Sequence, residues 1–493
     1  MHDTIKNKGL ALVLLAGAQF MVVLDATIVN VALPSIQKAL HFSNAASLQW
    51  IVTAYTLLFG GFLLLGGRMA DLFGRRKVFL FGILLFSIAS LLGGLSQNSA
   101  MIIIFRSLQG MGAAFLSPAA LSLVLSIFKE GTERNKALGV WSGVAAGGGA
   151  VGLLLGGILT QYVSWRWIFF INVPIGIAIA FFTLRVIPEI SANLENRKVD
   201  VLGAVTVTGG LMALVYALVK APSYGWLSGQ TLGVLALAII LLVAFVVNEK
   251  LVKNPLIRLD IFKNRNVSAG NLMQLPITAG MFGLFFYMSI YMQQILHYSP
   301  TKAGLANLPF TLFIGIFAGI VSKNIAKISP KTILVGAPLI VSAGLLYFSR
   351  IPLHGMYWQD IFPGIALMAT GMGMTFVALT LAATSGVSHK DSGLVSGLLN
   401  TSQQIGGALG LAVLSALSTA RTTREIAAAH GAASAIPGAL VSGFRYAFLV
   451  AACLLVGASV IALIGLKGGK LSDHQLEHET EIEGETFPVV PGI

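Results

Sequence analysis

The 493-residue chain is 56% hydrophobic and only 10% charged, with a mean hydropathy of +0.84 and a formal net charge of +13. Soluble domains carry about 25% charged residues, so an ordinary soluble protein is excluded and most of the chain must face lipid or other apolar helices. The single cysteine (Cys453) excludes an intramolecular disulfide, and the eight histidines all fall in predicted loops or tails, so neither a metal site nor a cofactor is expected.

Apolar runs of about 20 residues mark membrane helices. Fourteen are predicted, at 10–33, 47–67, 78–96, 100–127, 137–161, 167–187, 199–219, 229–248, 267–291, 303–322, 331–350, 358–385, 392–419 and 444–466. Alternate loops differ sharply in Lys and Arg, and 23 of the 32 lie on the side that holds both ends of the chain. The positive-inside rule then makes both termini cytoplasmic. Topology accounts for the basic charge, and no nucleic-acid partner is implied.

The first span carries one carboxylate, Asp25, near its middle. Charge at bilayer depth is costly, so such an acid is a functional candidate. The loop after the second span reads Gly66-Gly-Arg-Met-Ala-Asp-Leu-Phe-Gly-Arg-Arg-Lys77. Its glycines permit a tight turn, and Asp71 can cap a helix or pair with an arginine in one conformation and not in another. Arg106, in the fourth span, is the one fully intramembrane base. The fifth span, from Gly143 to Gly157, has the smooth surface of a helix that packs closely, with Gly152, Gly156 and Gly157 at its end.

Charged connectors at 188–198 and 249–266 flank two spans, and removing that pair leaves six spans before and six after. Two parallel six-helix halves are a transporter layout, with the substrate between them near the midplane. The expected division is a first bundle at 1–190, a linker with two extra helices at 191–255, a second bundle at 256–469 and an acidic tail at 470–493. In the second half the ninth and twelfth spans offer Gln274, Phe282, Tyr287 and Met372, and the thirteenth has a polar band at Asn400, Gln403 and Gln404. Methionine and aromatic side chains suit loosely specified, flat, lipophilic molecules. They also suit ordinary packing. Apart from Asp25, the 19 acids fall in loops or at helix ends, so Asp25 is nearly alone as a proton carrier.

The Gly66–Lys77 loop resembles the signature of the major facilitator superfamily, with Leu72 where the family often has a basic residue. Leu24-Asp-Ala-Thr-Ile-Val-Asn-Val-Ala-Leu-Pro34, Arg106-Ser-Leu-Gln-Gly-Met-Gly112 and Trp165-Arg-Trp-Ile-Phe-Phe-Ile-Asn-Val-Pro-Ile-Gly176 resemble motifs of its fourteen-helix drug:proton antiporters. Leu153 stands where that branch usually has a proline. The resemblance implies an all-α integral membrane protein of the major facilitator fold, two six-helix bundles plus two inserted helices, working by alternating access in a bacterial plasma membrane. It implies no enzyme activity and no cofactor. The expected partners are small lipophilic substrates, protons and lipids, and the expected state is a monomer. Asp25 and Arg106 are expected to couple protons. Gly67, Asp71, Gly74, Arg75 and Arg76 would form a conformational switch. Asp25, Gln109, Gln274, Phe282, Tyr287, Met372, Asn400 and Gln403 would line the cavity. The other reading on the same fold is a narrow exporter of one metabolite, antibiotic or siderophore.

Overall fold

The computed structural model describes residues 7–129, 132–189, 200–253, 255–324, 328–385, 387 and 392–466. The acidic tail at 470–493 lies outside the described residues. Among those described there is no strand, and fourteen long helices follow one another. They are α1 Lys8–Ala39, α2 Trp50–Phe73, α3 Arg75–Gly94, α4 Ser99–Ile127, α5 Thr132–Tyr162, α6 Asn172–Val186 and α7 Val201–Tyr224. Then come α8 Gly229–Leu251, α9 Arg265–Ile290, α10 Pro300–Asn324, α11 Pro330–Phe348, α12 Phe362–Thr384, α13 Ser392–Ala428 and α14 Ile436–Gly465. Short polar residues start several of them by accepting the first free amides: Asn7 caps α1 through Leu10 N at 3.0 Å, and Asn98 caps α4 through Met101 N at 2.9 Å.

Several helices depart from the predicted spans, and three of the departures bear on the site or the packing. The sequence reading ends the first span before Pro34, whereas α1 runs on to Ala39. Proline cannot donate to the carbonyl four residues back, and that carbonyl, on Asn30, instead accepts the Ser289 hydroxyl at 2.5 Å. Helix α13 continues nine residues beyond the predicted 419, because an Arg421–Glu425 pair at 2.6 Å supports a polar extension that hydropathy misses. The sixth span is broken into Trp167–Phe170 and α6.

Helix packing in the first six helices recurs eight helices later. The pairs α1–α5, α2–α4, α3–α4 and α3–α6 correspond to α9–α13, α10–α12, α11–α12 and α11–α14. Two symmetric seams, α2–α13 and α5–α10, join the sets. Helix α7 lies against both α2 and α13, and α8 packs on α7 with most of its side chains facing outward.

The two sets are fastened at one end. Calling the end where α1 begins and α14 finishes the terminal face, the bonds between sets lie toward the opposite face. Besides Ser289 to Asn30, Gln293 Nε2 donates to Val31 O at 2.8 Å and Gln294 Nε2 to Gln37 Oε1 at 2.7 Å. Thr301 N donates to Gln161 Oε1 at 3.2 Å. The α5–α10 seam is tight there as well, with Gly304 against the Leu153 carbonyl. Toward the terminal face Gly139, Gly143 and Gly147 of α5 and Gly315 and Gly319 of α10 have open space beside them.

Candidate functional site: a buried ion pair in the first bundle

Asp25 and Arg106 meet. The Arg106 Nη1 donates to Asp25 Oδ2 at 2.6 Å, and the two side chains are 0% and 2% exposed. Gln109, one helical turn after Arg106, places its Nε2 2.7 Å from Asp25 Oδ1 while its Oε1 accepts from Arg106 at 2.9 Å. The guanidinium also donates to the Ile51 carbonyl at 3.0 Å and lies over the Tyr55 ring at 4.1 Å.

Three partners were not foreseen. Asn172 Nδ2 donates to Asp25 Oδ1 at 3.0 Å, Ser90 Oγ accepts from both Asn172 and Gln109, and Tyr55 forms the floor under Arg106. Beside it the Phe169 carbonyl accepts Ser90 Oγ at 2.8 Å, and Asn172 opens α6 at the acid. Asn172 stands inside the Trp165–Gly176 motif, and Ser90 is one of two serines, with Ser87, in a largely apolar helix; a polar residue in a span was the available signal.

The network thus ties α1, α2, α3, α4 and α6 around one carboxylate. Removing one partner from such a pair costs about 3–5 kcal/mol because a charge stays buried without its counterion. Two polar atoms beside it, Asn172 Oδ1 and Tyr55 Oη, have no hydrogen-bond partner. Buried polar groups are nearly always paired, so these two are places where an added proton or water would find a partner.

The other cavity candidates do not join this cluster. Gln274, Tyr287 and Met372 are at most 4% exposed and sealed inside the second bundle; the Tyr287 ring packs on Phe444 and Phe448. Phe282 and Gln403 are half-buried, with the Phe282 ring beside Gly407, and Asn400 is exposed. In the loop before α3, Gly74 has φ +102°, a conformation that favours glycine. Arg75 pairs with Asp71 at 3.5 Å and also donates to Ser122 O and Ser126 Oγ. Arg76 reaches Glu189 at 3.3 Å and Ile187 O at 3.0 Å. Among the described residues, all polar partners of this loop lie in the first bundle. A Cβ added at Gly67 would lie at ordinary contact distance, 3.7 Å, from Pro118.

Gly152 and Gly156 bring α5 onto α1 beside Asp25, where a Cβ would meet Leu24 O at 2.9 Å and Ile28 O at 2.7 Å respectively. Gly157 faces α10 instead. Backbone carbonyls cannot step aside, so Gly156→Ala is expected to lower stability by about 1–3 kcal/mol. Gly147→Ala, in open space on the same helix, should be neutral or slightly stabilising by helix propensity. Thermal unfolding of the two variants in detergent checks this; equal melting temperatures would refute the close-packing role.

The comparisons with known proteins come down on one family. A model described as the Major Facilitator Superfamily matches residues 15–411. The chain belongs to that superfamily. Over 457 residues it is 39% identical to the puromycin resistance protein pur8 of Streptomyces alboniger, covering 92% of this chain and 89% of that one. It is 36% identical to the cephamycin export protein CmcT of Amycolatopsis lactamdurans, covering 92% and 91%. The tetracenomycin C resistance and export protein of Streptomyces glaucescens is 33% identical, covering 91% and 89%. Among solved structures, a bacterial homologue of the human lysosomal transporter Spinster superposes with a TM-score of 0.69 at 16% identity, over 96% of this chain and 98% of that chain. That likeness is one of fold.

Proposed function

We propose that this chain is a proton-coupled antiporter that exports lipophilic compounds, many of them monovalent cations, across a bacterial plasma membrane. The observation that carries the reading is the Asp25–Arg106 pair, sealed at mid-helix with no other acid at that depth among the described residues. The named functions of its relatives, resistance to and export of antibiotics, support the direction of transport.

In this reading the halves 1–190 and 256–469 rock about the α2–α13 and α5–α10 seams, and the terminal face is cytoplasmic. The structure is then the inward-open state, closed outside by the four hydrogen bonds between halves. A proton on Asp25 cancels its charge, weakens its hold on Arg106 and is exclusive of a bound cationic substrate. The Gly67–Arg76 loop, wholly engaged with its own half here, acts as the switch that engages the other half in the opposite state. The cavity is lined from the second half by Asn400 and Gln403.

One carboxylate carrying one proton makes export of a monovalent cation electroneutral, driven by the pH gradient alone at about 1.36 kcal/mol per pH unit. A neutral substrate also feels the voltage, about 2.3 kcal/mol per 100 mV, or roughly a fifty-fold concentration ratio. Divalent cations should be poor substrates. Proteoliposomes with voltage and pH imposed separately test the scheme: cation export driven by voltage alone contradicts it.

The narrower reading, export of one metabolite, antibiotic or siderophore, has its own support, since relatives are named for single antibiotics. A competition panel of unrelated lipophilic cations separates the two, because a narrow exporter ignores most of them.

A further inference from the structure

The two inserted helices have no part in the scheme above, yet their base at the terminal face holds a second buried pair of acids. Asp200 caps α7 and Glu249 sits in the last turn of α8, at 6% and 4% exposure. Asp200 Oδ1 accepts Gly203 N at 2.7 Å, and its Oδ2 accepts Asn248 Nδ2 at 2.7 Å. Glu249 Oε2 accepts Ile257 N from the connector at 2.8 Å. The remaining oxygen, Glu249 Oε1, is buried with no donor. It is turned toward Asp200: a Cβ on Gly203 would lie 2.5 Å from Asp200 Oδ2 and 2.8 Å from Glu249 Oε1.

Two carboxylates in contact and out of water cannot both be ionised. Asp200 accepts two amide donors at the positive end of α7 and is the one suited to the charge. Glu249 Oε1 has no donor and faces an acceptor, so a hydrogen on it completes the set. Among the described residues no ion pair joins a cation to either carboxylate. Lys250, Lys253 and Arg258 on the adjoining turns are exposed, and Asp260 and Lys263 pair with each other at 2.6 Å. Helix α2, which packs on α7, carries Arg68 and Asp71, the latter paired with Arg75 of α3. Asp200 is the charged group that acts on Glu249.

We infer that Asp200 and Glu249 bind one proton between them, a site separate from Asp25, and that this proton holds the inserted helices to the second bundle. The link runs through the connector. The Ile257 amide is held by Glu249, while Ile257 and Ile261 pack on Val267, Ala383, Val395 and Leu399 at the ends of α9, α12 and α13. Losing the proton leaves two anions side by side and opens the clasp, so alkaline conditions at this face free the connector from α8.

The test uses full-length protein in lipid nanodiscs. In an Asp25→Asn background, infrared difference spectra between about pH 5 and about pH 9 should show one protonated-carboxyl band that titrates. Glu249→Gln should remove that band, because the glutamine amide donates to Asp200 without titrating, whereas Asp260→Asn should keep it. Hydrogen exchange of the 252–262 connector, corrected for intrinsic rate, should rise roughly tenfold with pH in wild type, as loss of about 1.4 kcal/mol requires, and stay flat in Glu249→Gln. Identical spectra with and without Glu249, or the same exchange profile in wild type and Glu249→Gln, overturns the inference. Either result leaves the Asp25 scheme untouched, since transport is not the readout.

Discussion

Replacing Asp25 by Asn is expected to abolish uphill, proton-driven export while leaving the protein inserted and folded. Asparagine can still accept from Gln109 and Asn172, so the local hydrogen bonds survive in outline. What disappears is the group that gains and loses charge. Arg106 keeps the Ile51 carbonyl at 3.0 Å and Gln109 Oε1 at 2.9 Å but no anion. The cost of that uncompensated charge, about 3–5 kcal/mol, should appear as a lower melting temperature in detergent. In vesicles with an imposed pH gradient, substrate accumulation should fall to the level set by equilibration, whereas downhill flux persists. Undiminished accumulation by this variant would move the coupling group elsewhere. Arg106→Ala is the companion measurement: coupling weakens if the guanidinium tunes the acid, and the pH profile stays as in wild type if the arginine only pins α4 to α2.

A disulfide across the α5–α10 seam should arrest transport. The Cβ of a residue at 157 would lie 2.7 Å from Thr301 Cα, a closer approach than a relaxed disulfide takes, so the two backbones must part by a few tenths of an ångström as the link forms. The native chain has one cysteine, the exposed Cys453, so Gly157→Cys/Thr301→Cys in a Cys453→Ser background reports on this pair alone. Under oxidation the rate of export should fall about a hundredfold or more, since closing and opening of this seam is the step alternating access needs, and reductant should restore it. Gly147→Cys/Gly315→Cys, two positions with nothing beside them, should neither cross-link nor slow transport. Full export with the 157–301 link complete would mean that the halves part somewhere else.

The helical architecture was legible because lipid allows so few solutions. Uninterrupted apolar runs locate the helices, and lysine and arginine in alternate loops order them. The pairing of Asp25 with Arg106 was also within reach, as the single acid and single base at depth have few alternatives. Its neighbours were not. Asn172 is a single polar residue at the start of α6, and nothing in the hydropathy of that stretch says that it turns toward α1. Tyr287 and Met372 look like cavity residues by type, but aromatic and thioether side chains are equally at home in packing, and Tyr287 is enclosed by α14. Glu249 reads as a loop acid by its place at the end of an apolar run, and only the fold reveals that Asp200, 49 residues earlier, lies against it.

The fasteners between the halves are all uncharged: the Ser289 hydroxyl, the Thr301 amide and the Gln293 and Gln294 side chains donate to carbonyl or amide oxygens, and no ion pair crosses among the described residues. Such bonds each contribute about 0.5–1.5 kcal/mol net, so four together close the face opposite the termini with about 2–6 kcal/mol. Dissolved electrolyte has no charges to screen there. The strength of this closure should therefore be the same in dilute and concentrated salt.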